Sequence, residues 1–372
     1  MQPIRKMFPG GNTAKGFHSF YDFIAPLRPN RIYIIKGGPG IGKSTLIRKI
    51  GMALYEKGLP LELHLCSSDN SSLDAVALPS LKVSVVDGTS PHTVDPKWPG
   101  AVEEIINLGN LWDSSYLRHH RQPIIKLFNQ ISYLFMQAYR YFQAANSLLE
   151  EREDWVKSIQ PDWEQSVYIE ARKLGNQLLD TSLSREARDP DWPTGRHLFA
   201  SAITPNGIVN TLGSLTEGIE QLIVIRGCLR SARTLVLKVL SHYSLAHGYY
   251  TEIFHCGLRP DDIEHLIIQP TGMAILSADW YLDFQPPGNS TLIEVDLDSL
   301  LKINSQRLPL EYVRAHDLMR TCIERGIELI RKAKEHHDEL EQYYKDSMDF
   351  AQVKKFEEGI LNDIQTIVVD EN

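Results

Sequence analysis

The stretch Gly37-Gly38-Pro39-Gly40-Ile41-Gly42-Lys43-Ser44-Thr45 satisfies the pattern G-x-x-x-x-G-K-[ST] at every fixed position. This pattern constrains the fold, because it has meaning only between a strand and a helix. Its glycines let successive backbone N–H groups turn inward around phosphates, and its lysine ammonium reaches the β- and γ-phosphates of a nucleotide. Both flanks fit. Arg31–Lys36 is a short apolar, β-branched run that predicts a strand, and Thr45–Leu54 reads as a helix. The expected phosphate contacts are therefore Gly38, Pro39, Gly40, Ile41, Gly42, Lys43, Ser44 and Thr45, with Ser44 ligating Mg²⁺. A chance glycine-rich turn is the alternative.

Self-similarity extends the reading to the whole chain. Shifted by 190 positions (227 − 37), Arg31–Gly88 runs without a gap against Gln221–Ala278. The strand Arg31–Lys36 meets Gln221–Arg226, Gly58 meets Gly248, Leu61–Cys66 meets Thr251–Cys256, and Val83–Val86 meets Met273–Leu276. With a shift of 191, Phe8, Thr13 and Gly16 meet Phe199, Thr204 and Gly207. A tandem duplication is expected. Each copy alternates strands with helices, which predicts an α/β fold with a mostly parallel sheet and helices on both faces. Ligand sites in such sheets lie at the carboxyl ends of the strands.

A helical stretch follows each sheet pattern. Ile124, Phe128, Ile131, Phe135, Ala138, Phe142, Ala145 and Leu149 step by four and three, with a second row at Leu127, Leu134, Tyr141 and Leu148. Pro161 interrupts this stretch and Trp163–Leu179 continues as a return helix; Leu318–Tyr344 and Phe350–Ile364 repeat the pair. The expected organisation is residues 1–110 as a domain with the intact loop, 111–190 as its helical hairpin, 191–302 as a second such domain, and 303–372 as the second hairpin. Asp189–Gly195 carries the Pro/Gly/Asp chemistry of a linker between the copies. The apolar helix faces read as core, with a partner surface as the alternative.

Three carboxylates could serve the first loop. Asp87 closes the apolar run Leu81–Val86, where it resembles the aspartate that holds Mg²⁺ in phosphate-loop enzymes; a turn-forming Asp-Gly is the plainer reading. Asp69 follows Cys66-Ser67-Ser68, where a carboxylate could orient water or accept a hydroxyl proton, although Asp69-Asn70-Ser71-Ser72 is also a natural helix N-cap. The loop beyond Asp87 brings His92 and Asp95, as a substrate cover or as a rigid surface turn. Arg118 and Arg121, flanking His119 and His120, read as a lid or as a solvated helix start. No water-activating glutamate follows the Val85-Val86 strand in the usual place, so slow hydrolysis, or hydrolysis through Asp69, is expected.

In the second copy the loop becomes Gly227-Cys228-Leu229-Arg230-Ser231-Ala232-Arg233-Thr234. Ala232 stands for Gly42, Arg233 for Lys43, Ser277 for Asp87 and Arg259 for Asp69. Alanine is strained wherever φ is positive, and arginine is too long and planar to act as the lysine point charge. This copy is expected not to hydrolyse nucleotide. A structural or regulatory role is open to it, including reach of Arg230 or Arg233 into the first site.

Taken together, Phe8–Thr13, Gly37–Thr45, Cys66–Asp69, Val86–Pro96 and Pro99–Gly109 resemble a family of uncharacterised bacterial tandem P-loop ATPases described as nucleotide kinase-like. More distantly, Gly16–Asp69 is similar to recombinase-type and circadian-clock ATPases, which place an acidic catalytic residue after the same strand. The resemblance implies tandem P-loop domains, and the altered second loop departs from a pattern of two intact sites. The expected activity is an Mg²⁺-dependent, slow ATPase with Lys43, Asp69 and Asp87 as its catalytic residues and ATP and Mg²⁺ bound at the first loop. A kinase acting on a nucleotide or small hydroxylated molecule is the alternative. A nucleotide-gated interaction protein that meets a protein partner through its hairpins is the second.

Charge and composition narrow the partners. With 39 basic and 47 acidic side chains the formal charge is −8, which argues against bulk nucleic-acid binding and against acidic membranes. No apolar run approaches the roughly 20 residues that span a bilayer, and Met1–Lys6 lacks the apolar core of a signal peptide, so a cytoplasmic protein is expected. The four cysteines show no C-x-x-C spacing, and the pairs His119-His120 and His336-His337 have no completing ligand set, so no metal beyond Mg²⁺ is expected.

Overall fold

The computed structural model describes residues 3–90, 93–179, 195–279, 284, 286, 288–304 and 307–370. The first half comprises β1 (Arg5–Met7), a hairpin of β2 (Gly10–Thr13) and β3 (Gly16–Ser19), then β4 (Arg31–Lys36), α1 (Lys43–Tyr55), β5 (Glu62–Leu65), β6 (Leu73–Leu78), β7 (Val83–Asp87) and β8 (Glu103–Asn107). Three helices follow: α2 (Ser114–His119), α3 (Arg121–Ile159) and α4 (Trp163–Leu179). The second half repeats the plan with β9 (Arg196–Phe199), β10 (Ser201–Thr204), β11 (Gly207–Asn210), α5 (Leu212–Leu215), β12 (Gln221–Arg226) and α6 (Arg230–Ala246). It continues through β13 (Thr251–His255), β14 (Ile263–Ile268), β15 (Met273–Ser277), β16 (Thr291–Asp296) and α7 (Leu297–Leu300), and ends in α8 (Leu310–Ser347) and α9 (Phe350–Asp370). The linker expected at Asp189–Gly195 lies, up to Thr194, outside the described residues.

Two six-stranded sheets have one plan. The first runs β1-β5-β6-β7-β4-β8 and the second β9-β13-β14-β15-β12-β16. In each sheet one strand, β6 or β14, is antiparallel to both neighbours, and the remaining pairs are parallel. The sheets are therefore mixed, where a mostly parallel one was expected. The reversed strand follows from a short connection, since only a long crossover can return a chain parallel to itself. In Leu73-Asp74-Ala75-Val76-Ala77-Leu78 an aspartate and two alanines dilute the apolar pattern, although the whole strand is buried.

Helices do not cover both faces equally. On one face of the first sheet Tyr33, Ile35, Val76 and Val85 pack with Leu46, Ile47, Ile50 and Leu54 of α1. The opposite face is closed by Tyr21 and Ile24, with Phe17 and Val94, rather than by a long helix. In the second sheet α6 and α4 share one core, while Leu222, Val224 and Leu276 on the other face meet Leu212 and Leu215 of short α5 together with Met7.

The hairpins are exchanged between halves. The apolar stripe of α3 does form a seam, against α8, where Phe142 fills the space that Gly326 leaves open; Phe128 and Tyr141 of the expected stripe are instead partly exposed. At about 1.5 Å per residue a helix of 39 residues is about 58 Å long. It outruns its own half, and the return helix α4 lands on α6 of the second half, burying Trp163, Val167 and Ala171 there. Reciprocally, α9 closes the first half's core with Val353, Ile360 and Ile364. The turn from α8 to α9 is stitched beside the first sheet by Asp113 N donating to Ser347 O (2.8 Å) and Asp349 N donating to Leu111 O (3.1 Å). Each hairpin thus packs on the opposite half, whereas placement on its own half was expected.

The halves meet about a local two-fold relation. Phe8 and Phe199 exchange both backbone hydrogen bonds at 2.9 Å, and the side chain of Asn12 donates to Ile203 O at 3.0 Å. Beside them Arg196 grips Glu62 through two donors (3.0 and 2.7 Å) and Glu252 through one (3.4 Å), and Arg5 donates to Glu62 and Glu252, each at 2.9 Å. Arg5 corresponds to Arg196 and Glu62 to Glu252, so the four charges mirror one another. Burial alone would push the Glu62 carboxyl up, but the guanidinium of Arg196, with help from His64 and Arg5, holds it well below the usual carboxylate range. No helix among the described residues is long and apolar enough to cross a membrane.

Candidate functional site

Strand β4 ends at Lys36 and the chain enters α1 through Gly37–Gly42. Three glycines of this turn, Gly37 (φ 151°), Gly40 (φ 69°) and Gly42 (φ 90°), have the positive φ that side chains resist. Helix α1 begins at Lys43, and its cap residue Gly42 offers no side-chain acceptor to the first amides. Unsatisfied N–H groups at a helix start, together with the helix dipole, suit an anion. The turn stands at the carboxyl ends of the parallel neighbours β4 and β7, where Ile35 pairs with Asp87.

Lys43 folds back into this turn. Its Nζ donates to Gly37 O (3.2 Å) and Gly38 O (2.5 Å) and lies 3.6 Å from Asp87 Oδ2. The other Asp87 oxygen accepts from Thr89 N at 2.9 Å, so the turn-forming role and the position beside the lysine coexist. Ser44, in the first turn of α1, accepts from Leu73 N at 2.9 Å; a hydroxyl oxygen has a second lone pair for a cation. Lys43 and Asp87 are thereby brought together, with Ser44 next to Lys43 in the first turn of α1, and the uncapped glycine turn carries the backbone donors that a phosphate group would need.

Asp69 is held differently. Its Oδ1 accepts from Ser71 N (3.1 Å) and Ser71 Oγ (2.6 Å), its Oδ2 accepts from Ser72 Oγ (3.0 Å), and Lys334 Nζ of α8 sits 3.3 Å away. Burial would raise its pKa, but the Ser71 hydrogen bond, the Lys334 charge and Ser72 outweigh that and lower it. Asp69 closes a turn that leads into β6, with Ser72 N donating to its carbonyl at 2.8 Å, and no helix starts there. The helix N-cap reading is therefore corrected to a turn, and in this arrangement Asp69 is an ion-pair partner and a weak proton acceptor. Asp95 is exposed and pairs with Lys36 at 3.2 Å, while Lys36 also donates to Gly88 O and Val94 O, both at 2.8 Å. His92 lies outside the described residues. Arg118 donates to Ser114 O one turn back (3.1 Å), which is the helix-surface reading of that stretch.

The second half's hairpin lies against the first loop, and nothing in the local sequence signals it. A Cβ on Gly38 would come within 2.6 Å of the Tyr344 ring, one on Gly40 within 2.7 Å of Glu341 O, and one on Gly42 within 3.4 Å of the Phe350 ring. Gly40 therefore answers to two demands, a positive φ and the close approach of α8, whereas Gly38 answers to the approach of α8 and Gly42 combines a positive φ with the neighbouring ring of α9. Lys334, Glu341, Tyr344 and Phe350 are residues of this site that sequence reading missed, because only helix length and packing bring them there.

The second loop has lost the turn. Of its residues only Gly227 has positive φ (148°), and α6 starts at Arg230, three positions before Arg233, the counterpart of Lys43. Leu229, Arg230 and Ala232 resist left-handed backbone, so the chain spends these residues on an extra helical turn. One amide in the first turn of α6 is taken by a side chain, Ser231 N donating to Glu153 of α3 (3.1 Å), and before the helix Cys228 N donates to Asp298 (2.8 Å). Arg233 copies Lys43 in donating to the glycine carbonyl, here Gly227 O, and also reaches Ser277 Oγ (2.8 Å). Arg230 and Arg233 stay within their own half on Asp279, so neither enters the first site as the sequence had left open.

Among the described residues no group of three or more His, Cys, Asp and Glu is arranged to hold a metal ion, and all four cysteines are free thiols. His336 and His337 sit beside Glu339 and Glu341 on their own helix. Compared with known proteins, the chain matches no family model, no curated protein and no solved structure.

Proposed function

We propose that the first half binds ATP with Mg²⁺ at Gly37–Thr45 and hydrolyses it slowly, with the nucleotide state coupled to the α8–α9 hairpin. The observation that carries this reading is the uncapped, triply left-handed glycine turn with Lys43 folded inside it, 3.6 Å from Asp87. Backbone N–H groups of the turn and of the first turn of α1 bind the phosphates, and Lys43 exchanges its carbonyl partners for phosphate oxygens. Ser44 and Asp87 hold Mg²⁺, which when bound neutralises charge on the phosphate oxygens. Asp69 orients the attacking water once Lys334 releases it, and that requirement, with no glutamate after β7, makes turnover slow. Because Lys334, Glu341 and Tyr344 all belong to α8, loop occupancy and hairpin position are linked.

A kinase would use the same loop and would differ by forming a phosphorylated product in step with ATP loss. The test compares wild type with Lys43→Ala by calorimetric ATP titration and by phosphate release, with and without a metabolite panel. Loss of both binding and turnover in the variant is expected, with turnover in wild type independent of any acceptor. Unchanged ATP affinity and turnover in Lys43→Ala would place the nucleotide elsewhere.

A further inference from the structure

The degenerate second loop borders a cavity of about 310 Å³, at the lower end of the size of small-ligand pockets. It lies at the carboxyl ends of the parallel neighbours β12 and β15, the position at which α/β sheets present ligands. Its wall carries four guanidinium groups, Arg152, Arg226, Arg230 and Arg233, against one carboxylate, Asp279. We propose that this cavity binds a small phosphorylated anion, independently of the first loop.

Two of the arginines already converge on one oxyanion. Asp279 Oδ2 accepts from Arg230 Nη1 at 2.6 Å and from Arg233 Nη2 at 2.7 Å, so a single oxygen sits between two planar forks. That geometry suits a phosphate oxygen as well as a carboxylate, since guanidinium forks match both. The other two arginines extend the positive wall. Arg226 ends β12 and is about half exposed, with Glu294 at 3.0 Å. Arg152 comes from α3, donates to Tyr312 OH at 2.7 Å and stacks on that ring at 4.5 Å, while its buried Nε has no hydrogen-bond partner among the described residues. Glu264 (3.0 Å) and Asp262 (3.6 Å) balance Arg230, but neither they nor Glu294 form part of the cavity wall. The loss of the phosphate-loop turn has thus replaced backbone donors by side-chain donors at the same end of the sheet. Arg152 belongs to the hairpin that follows the first half, so a bound anion would join that hairpin to the second sheet.

The experiment titrates inorganic pyrophosphate into the full-length Lys43→Ala protein by calorimetry, so that the first loop does not contribute. One-to-one binding is expected, weakened roughly ten- to a hundredfold by Arg152→Gln and by Arg226→Gln, the range for a lost hydrogen bond to a charged group. Arg226→Gln alters a half-exposed side chain and decides the matter if Arg152→Gln fails to fold. Absence of pyrophosphate binding to Lys43→Ala protein, or binding that Arg226→Gln leaves unchanged, overturns the proposal whatever the first loop does with ATP.

Discussion

Alanine at Gly40 separates the two demands made on the first loop. The residue has φ 69°, and left-handed backbone costs a side chain about 1–2 kcal/mol. Its added Cβ would also stand 2.7 Å from Glu341 O, 2.8 Å from Glu341 Cβ and 3.0 Å from Glu341 Cα. Two of these atoms are backbone of α8, which cannot rotate aside, so the helix must retreat. Overpacking of this kind costs about 1–3 kcal/mol, and the total for Gly40→Ala is about 2–5 kcal/mol. Gly58 provides the control, because its φ is +91° and a Cβ there meets nothing within 4 Å. Gly58→Ala should lose only the backbone share, about 1–2 kcal/mol. Urea unfolding of the two variants followed by circular dichroism measures both, and Gly40→Ala is expected to be the less stable by about 1–3 kcal/mol. Equal destabilisation of the two would refute the contact between α8 and the loop, and with it the link between hairpin position and loop occupancy.

Two further outcomes concern the junction between halves. Glu62→Ala leaves the nearly fully buried Arg196 with only a 3.4 Å contact to Glu252 among its carboxylate partners, and removal of one partner from a buried pair costs about 3–5 kcal/mol; a loss below about 1 kcal/mol in urea unfolding would contradict this. Acid should destabilise the fold through His255, whose pKa burial, with the neighbouring charge of His197, pushes down to about 3. Below the ordinary histidine value of about 6.5 the unfolded chain takes up a proton that the native chain refuses, so stability falls with decreasing pH until about pH 3, by up to about 1.4 kcal/mol per pH unit. His255→Phe should flatten the stability profile between about pH 4 and 6 by that share, and an unaltered slope would count against the assignment.

Much of the site was legible locally. Glycine takes a positive φ at far less cost than other residues, so Gly37, Gly40 and Gly42 announced a turn between β4 and α1, and Leu229, Arg230 and Ala232 announced its loss in the second copy. Asp87 and Lys43 also followed from local pattern, because a strand end and a helix start fix their neighbourhood within a few residues. Strand β6 was hidden, since Asp74 and Ala75 break the apolar run even though the strand is buried on both faces.

The sequence by itself determined the strand–loop–helix unit of each half, the internal repeat and the inequality of the two loops, all of which rest on backbone preference and on local spacing. Only the tertiary structure decided that the hairpins are exchanged, that Lys334 restrains Asp69, that α8 presses on the glycines of the first loop, and that Asp279 lies between two arginines at the second. The apolar stripe of a helix states that a face must be buried and is silent about which surface buries it. Helix length and the packing of the two halves about Phe8 and Phe199 settle that choice.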